Sequence, residues 1–504
     1  MSPKMNAGRF GKDHFDALFD PRGVVVAGAS THPGKFGFVA LHNILSSRYA
    51  GNVFATNRDG AEVLGRETLR SVSDVPSGEA DLVFVCTPSA SNHEVLSQAA
   101  ARGIRAAFIA SAGYGESGVE GAALQQQLVD LADDLGMLLV GPNGQGLVST
   151  PSSLCAQIVA PNPPRGHIGV ASQSGNFVSS FLNLARQSGV GISRAISVGN
   201  AAQVGVIDML EYFADDPETS VGLVYVEGIP DGRAFFDRLC AVTRRLPVVI
   251  LKGGASASGA LAAASHTGSL ASNDRVFDGM CRQAGAIRAS NLFEAFDTAA
   301  LLATQPPPSG ARLAVVTTVG GWGVVTADAV ADTNLDLVEL PGDLRETLDT
   351  LLPPRWSRNN PIDLAGGETK DTVADVLDAV VSHPEVDAVI LLGVGIQSNQ
   401  ARLEREGSFF PGFGLDRITA FHDRQDARYA DLAGDLSNRH AKPVLVATEL
   451  AVGDPANAAV SAVRTSGRYC FPSADRAVRS LDLALRNAQW RSRRGLPSDT
   501  GRST

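Results

Sequence analysis

The sequence predicts an α/β protein of about three parallel-sheet domains, on three observations. Short β-branched runs alternate with helix-length amphipathic segments over nearly the whole chain, which is the rhythm of doubly wound sheets. The runs Val24-Val25-Val26-Ala27, Leu82-Val83-Phe84-Val85 and Ala107-Phe108-Ile109-Ala110 are apolar at every position. Strands of that kind are covered on both faces, as in a parallel sheet. Two proline-rich stretches, 160–166 and 306–310, interrupt the rhythm. Proline blocks helix and sheet alike, so they are candidate domain boundaries. With 504 residues the chain exceeds a single core, and these stretches cut it into pieces of ordinary domain size. The expected domains are 1–150, 160–305 and 310–490, with a tail at 491–504. The second and third open alike, with a strand from Ile168 or Leu313, a polar or glycine-rich turn, and a helix.

Composition narrows the function. Net charge is -10 and there is no basic stripe, so a nucleic-acid partner is not expected. The five cysteines are scattered and form no Cys-x-x-Cys, which argues against a disulfide framework or a zinc site and for a reducing compartment. The first twenty residues lack an apolar h-region, and the most apolar stretch, near Val386, is too short for a bilayer. The expectation is a cytoplasmic protein without a membrane partner. The stretch 397–440 is polar and reads as irregular.

The first strand ends in Gly28-Ala29-Ser30, ahead of Gly34-Lys35-Phe36-Gly37. Small residues at a strand-to-helix turn let backbone N–H groups approach a phosphate. The segment is not a Walker A loop, because five residues separate Gly28 from Gly34 and Phe36 follows Lys35. Gly113-Tyr114-Gly115-Glu116-Ser117-Gly118 fits G-x-G-x-x-G, but at a late strand, and reads as a structural turn. Ser172-Gln173-Ser174-Gly175 stands where a strand meets a helix. An anion site is the first reading there, since the helix dipole and free N–H groups favour negative charge. An N-cap is the second. A hydrolase nucleophile is a distant third, because G-x-S-x-G is absent. Glu227 ends a strand, where α/β proteins place ligands, but on the residue alone an ordinary exposed strand-end acid is the preferred reading. His266 lies beyond the small-residue run 253–260. Neutral imidazole is a good nucleophile near pH 7, and a structural histidine is an equal alternative on spacing alone.

Taken together, these segments resemble the ADP-forming acyl-CoA synthetase family, related to the α subunit of succinyl-CoA synthetase. The resemblance spans roughly residues 18–495. It is carried in order by 19–30, Gly141-Pro142-Asn143, Ser172-Gln173-Ser174-Gly175, Glu227-Gly228-Ile229, the histidine segment 264–271, and Asn360-Pro361-Ile362-Asp363-Leu364. It implies a Rossmann-like CoA-binding domain followed by two flavodoxin-like ligase domains. It implies that His266 is phosphorylated with Glu227 in support, and that Ser172, Gln173, Ser174 and Gly175 bind phosphate. Gly28, Ala29, Ser30, Lys35, Thr87, Pro88 and Asn143 would contact coenzyme A, and no residue would hold a metal. The implied cofactors are coenzyme A and phosphate, with ATP or ADP and Mg entering through an ATP-grasp partner in a hetero-oligomer. The substrate would be a small carboxylic acid or its acyl-CoA. Two departures stand out: Gly144 and Gln145 follow Gly-Pro-Asn where the family has Cys then Leu or Pro, and no ATP-grasp segment is recognised. Other readings are an acyl or carbamoyl transferase of the same superfamily and a CoA-binding regulatory module without turnover. An NAD-dependent dehydrogenase would rest on the first domain alone.

Overall fold

A computed structural model describes residues 10–159, 162–256, 258–259, 273–364 and 371–497. The polypeptide is mixed α/β and divides into two compact units, 1–187 with 191–291, and 188–190 with 292–504.

In the first unit, five parallel strands form the first sheet: β1 (Gly23–Ala27), β2 (Asn52–Thr56), β3 (Leu82–Val85), β4 (Ala106–Ile109) and β5 (Leu138–Val140), in the order β2-β1-β3-β4-β5. β1, β3 and β4 are buried at every position, as their apolar runs require. Among the described residues four α-helices accompany them: α1 (Lys12–Phe19), α2 (Phe36–Ser46), α3 (Asn92–Ala101) and α4 (Val119–Asp134). The 113–118 segment is a turn. Glu116 accepts from the N–H groups of Gly113 and Tyr114, and Gly118, at φ +94, caps α4.

The second sheet has seven strands: β6 (Gly146–Ser149), β7 (Leu154–Gln157), β8 (Arg165–Ser172), β9 (Ile192–Ser197), β10 (Val221–Val226), β11 (Val248–Lys252) and β12 (Ile287–Ala289). Their order is β12-β11-β10-β8-β9-β6-β7. β8 to β12 are parallel, and β6 and β7 form an antiparallel hairpin joined to β9. Residues 146–157, on both sides of the expected boundary at 150, thus belong to this sheet. Among the described residues its helices are α5 (Gly175–Ser188), α6 (Val206–Asp215), α7 (Gly232–Thr243) and α8 (Asp274–Ala284). Both sheets share one core. Phe19 of α1 stacks on Tyr212 of α6, and buried Arg194 holds Asp20 through two 2.7 Å bonds and Asp216 at 3.1 Å.

The second unit carries a six-stranded parallel sheet: β13 (Arg312–Thr317), β14 (Asp336–Leu337), β15 (Ile362–Asp363), β16 (Ala388–Leu392), β17 (Val444–Ala447) and β18 (Cys470–Phe471). The helix Leu292–Thr304 packs within this unit, so the division into compact units falls before that helix. It packs on the helix Ala474–Ser492, where Asp297 receives Arg476 and the Tyr469 hydroxyl at 2.6 Å each.

The stretch 397–440 is helical, not irregular. It contains most of the helix Ile396–Glu406 and the 26-residue helix Leu415–His440. The buried face of the long helix is Thr419, Gln425, Asp426, Tyr429, Ala430, Ala433, Gly434, Leu436 and Ser437. A face so poor in large apolar residues leaves the stretch polar in overall composition, which hides the helix. Among the described residues no helix is long and apolar enough to cross a membrane.

Candidate active site

The C-terminal edges of the two sheets in the first unit carry the residues singled out from the sequence, and ligands of open α/β sheets bind at such edges. At the end of β1, Gly28 has φ +86, and a Cβ there would lie 2.9 Å from Thr87 Cγ2. Glycine is therefore needed both for its backbone angle and for its contact with the neighbouring strand end. A Cβ on Gly37 would meet the Gly28 carbonyl oxygen at 2.1 Å, so α2 also starts close against this turn. Ala29 N–H donates to the Thr56 carbonyl at 2.8 Å, and Ser30 Oγ accepts from His32 N–H at 3.1 Å. Lys35, exposed, is the N-cap residue of α2. Thr87 and Pro88 follow β3, next to Gly28.

Asn143 stands exposed at φ +60 after the cis Gly141–Pro142 bond, and its N–H donates to the Ser111 carbonyl at 3.0 Å. A Cβ on Gly199 would come 2.2 Å from the Pro142 carbonyl oxygen. This loop therefore abuts the turn that leaves β9, at the junction of the two sheets.

The 172–175 loop joins β8 to α5. Ser172 Oγ donates to the Ser174 carbonyl at 2.7 Å and accepts from its N–H at 3.1 Å. Gly175 opens the helix, and a Cβ there would lie 2.6 Å from Gln145 Cβ. The first turn of α5 leaves backbone N–H groups without partners inside the helix, as any helix does. Gln173 has a role that its residue type alone did not reveal. Its Nε2 donates to the Gly228 carbonyl at 2.9 Å, and its Oε1 accepts from Glu227 N–H at 2.5 Å and Gly228 N–H at 3.2 Å. The side-chain amide thus ties the 172–175 loop to the Glu227 turn and is occupied in doing so.

Glu227, half-buried, directly follows β10. Burial, together with the Glu227 carboxylate beside it, pushes the Tyr225 hydroxyl well above its usual pKa. A Cβ on Gly253 would fall 2.4 Å from the Tyr225 hydroxyl and 3.4 Å from Glu227 Cγ. The end of β11 therefore closes tightly on both side chains.

Lys252 was not singled out from the sequence. Its side chain is 1% exposed, and Nζ donates to the carbonyls of Gly253 and Gly254 at 3.2 and 3.3 Å. It also lies 3.6 Å from Asp274 Oδ1 and faces the Phe277 ring at 5.7 Å. Lys252 and Asp274 thus join the two sides of the segment that contains His266. A lone lysine closing an otherwise apolar strand was the available signal. His266 itself lies outside the described residues.

In the second unit, Asn360 takes a structural part. Its amide accepts from Val315 N–H at 3.0 Å and donates to the Leu313 carbonyl at 2.8 Å and the Val338 carbonyl at 3.2 Å.

Three family models match the chain in sequence order: a CoA binding domain over residues 22–150, a succinyl-CoA ligase-like flavodoxin domain over 165–302, and a ligase-CoA domain over 313–395. The α subunit of an ADP-forming acetate–CoA ligase I from Pyrococcus furiosus is 32% identical over 482 residues, covering 95% of this chain and 98% of that one. The chain belongs to the ADP-forming acyl-CoA synthetase family. It is an acid–thiol ligase chain of the α-subunit type. An ADP-forming 4-hydroxybutyrate–CoA ligase of Nitrosopumilus maritimus is 32% identical over 377 residues, covering 74% of this chain and 54% of that one. The synthetase chain therefore spans nearly all of the α-subunit relative and about half of the longer one. The solved structure of the dinucleotide-forming acetyl-coenzyme A synthetase 1 of Ca. Korarchaeum cryptofilum, in complex with phosphate and ADP, matches with a TM-score of 0.81 at 30% identity. That match covers 96% of this chain and 99% of the other.

Proposed function

We propose that this chain is the CoA-binding, phosphohistidine-bearing subunit of a cytoplasmic ADP-forming acyl-CoA synthetase. With an ATP-grasp partner in a hetero-oligomer, it interconverts acyl-CoA, ADP and phosphate with carboxylic acid, CoA and ATP. The observation that carries this reading is the Gln173 bridge, which sets the N-terminus of α5 beside Glu227 at one sheet edge.

Each group then has a task. The N–H groups at the start of α5 and the Ser172–Gly175 loop hold inorganic phosphate, as a positive helix end does. The turn of Gly28, Ala29 and Ser30, which leaves no room for a Cβ at Gly28, suits close backbone approach to the diphosphate of coenzyme A. Lys35 adds an exposed cation at the start of the next helix. Thr87, Pro88 and Asn143 complete that surface, and the bound cofactor supplies the thiol.

A phosphate oxygen attacks the thioester carbonyl, the carbon–sulfur bond breaks, and acyl phosphate forms as the CoA thiolate leaves. A ring nitrogen of neutral His266 then attacks phosphorus. The phosphorus–oxygen bond to the acyl group breaks and the carboxylate departs. Glu227 holds the imidazole in one tautomer and stabilises the positive ring, as carboxylates do for catalytic histidines. Fixed donors around the phosphoryl group carry most of the catalysis. The partner brings ADP with Mg to receive the phosphoryl group.

Labelling with radioactive phosphate and acyl-CoA tests this. The parent should acquire an acid-labile phosphate that His266→Ala lacks. Equal labelling of His266→Ala would refute the mechanism.

A further inference from the structure

Pairing across the second sheet sets one row of residues level on four neighbouring strands. Ser172 of β8 pairs with Ser197 of β9, and Gly146 of β6 pairs with Gln157 of β7. Leu147 pairs with Ile196 in antiparallel register, so Gly146 is level with Ser197. Tyr225 of β10 extends the row beyond Ser172. Level residues of a sheet face the same side. Phe177 of α5 stacks on Tyr225 with ring centroids 3.8 Å apart, which makes this the face that α5 covers.

The row therefore runs from the phosphate-type loop outward beneath α5. Ser172 is satisfied by Ser174, but the next members are not satisfied. Ser197 and Gln157 are fully buried, and neither Ser197 Oγ nor either polar atom of the Gln157 amide has a hydrogen-bond partner. Gly146, between them, contributes no side chain. Gln145 borders the row from the next position, 9% exposed, with Oε1 accepting from Ser179 Oγ at 2.9 Å and Cβ against Gly175.

A buried amide with neither end bonded is costly and rare, and it calls for a ligand or a water. Its placement favours a ligand, because the row begins at the loop assigned to phosphate. The groups offered are neutral, a hydroxyl and a carboxamide, each able to donate and accept. No lysine or arginine belongs to the row, so a second carboxylate would find no counter-charge. At about 4.8 Å per strand, Gln157 stands roughly 14 Å along the sheet from Ser172, which a Gln side chain and a short acyl chain can span together.

We infer that Gln157 and Ser197 form an acyl subsite that recognises an uncharged hydrogen-bonding substituent, a hydroxyl or carbonyl, towards the far end of a short acyl group. This rests on the acyl-CoA reading above and specifies its substrate class.

The test uses the full chain, radioactive phosphate and three probes: butyryl-CoA, 3-hydroxybutyryl-CoA and 4-hydroxybutyryl-CoA. The readout is the rate of histidine-bound label. The parent should favour 4-hydroxybutyryl-CoA over butyryl-CoA by about 10-fold or more, because a site built for a hydroxyl rejects the analogue lacking it. Gln157→Leu should abolish that preference, the rate with 4-hydroxybutyryl-CoA falling to that with butyryl-CoA. Ser197→Ala, a smaller change, should weaken the preference and carries the test where Gln157→Leu fails to fold. No preference in the parent, or equal loss for all three probes in Ser197→Ala, overturns the subsite and assigns the amide to an internal water. Absence of label from every probe in the parent overturns the phosphoryl-transfer reading itself, and the subsite with it.

Discussion

Replacing Gln173 by alanine tests whether the bridge between the 172–175 loop and Glu227 is a working part of the site. The change removes three hydrogen bonds, to the Gly228 carbonyl and to the N–H groups of Glu227 and Gly228. At about 1 kcal/mol net per bond, the gross cost is about 3 kcal/mol. Gln173 is half-buried, so water recovers part of this, and a loss of about 1–2 kcal/mol of global stability is expected. The kinetic cost should be larger. A shift of roughly 1 Å in a catalytic group is worth about 100-fold, or about 2.7 kcal/mol of barrier. Rapid-quench labelling of His266 from an acyl phosphate measures this rate, and CoA titration of the same sample reports on the first sheet. The expected result is transfer about 100-fold slower, a melting point a few degrees lower and unchanged CoA affinity. Gln173→Glu keeps the acceptor for Glu227 N–H but loses the donor to Gly228 and brings an anion to the proposed phosphate site. It should be slower still and demand more phosphate. Transfer within about 3-fold of the parent in Gln173→Ala, or parallel loss of CoA binding, would show that the bridge does not position Glu227.

Gly175→Ala puts a Cβ 2.6 Å from Gln145 Cβ and should slow labelling by about 10-fold or more. Gln145→Gly in the same chain should restore part of the rate, and a double-mutant cycle measures the coupling. Lys252→Met removes the buried cation joining Gly253, Gly254 and Asp274. It should slow His266 labelling by about 10-fold with CoA titration unchanged, since loss of the tie loosens the base of the histidine segment. Asp81 accepts from the Arg22 guanidinium at 2.9 and 2.6 Å and from its N–H at 2.8 Å, which holds its carboxyl below the usual range. A depressed pKa contributes stability that is present above the ordinary carboxylate value and is lost as pH falls through the folded one. Asp81→Asn should therefore melt below the parent at neutral pH, and the two melting curves should converge below pH about 4.

How far the sequence could be read depended on what each segment buries. β1, β3 and β4 were legible because their apolar runs are buried on both faces, as the strands of parallel sheets are. The hairpin of β6 and β7 was not, because two four-residue strands ending in Ser149 and Gln157 carry no such run. The long helix Leu415–His440 escaped for a related reason, since the side chains it buries include Thr419, Gln425, Asp426 and Ser437. Within the site, residue type pointed to an anion at 172–175, but the partners of Gln173 lie more than fifty positions away and only the pairing of β8 with β10 brings them together. The same holds for Ser197 and Gln157. Each reads alone as an unremarkable polar residue at a strand end, and the register across β8, β9, β6 and β7 turns them into one row. Local chemistry is written in neighbouring letters and survives a reading of the sequence. Chemistry assembled across strands becomes visible when the order β10-β8-β9-β6-β7 is known, which is why the row of Ser197 and Gln157 was hidden while the 172–175 loop was not.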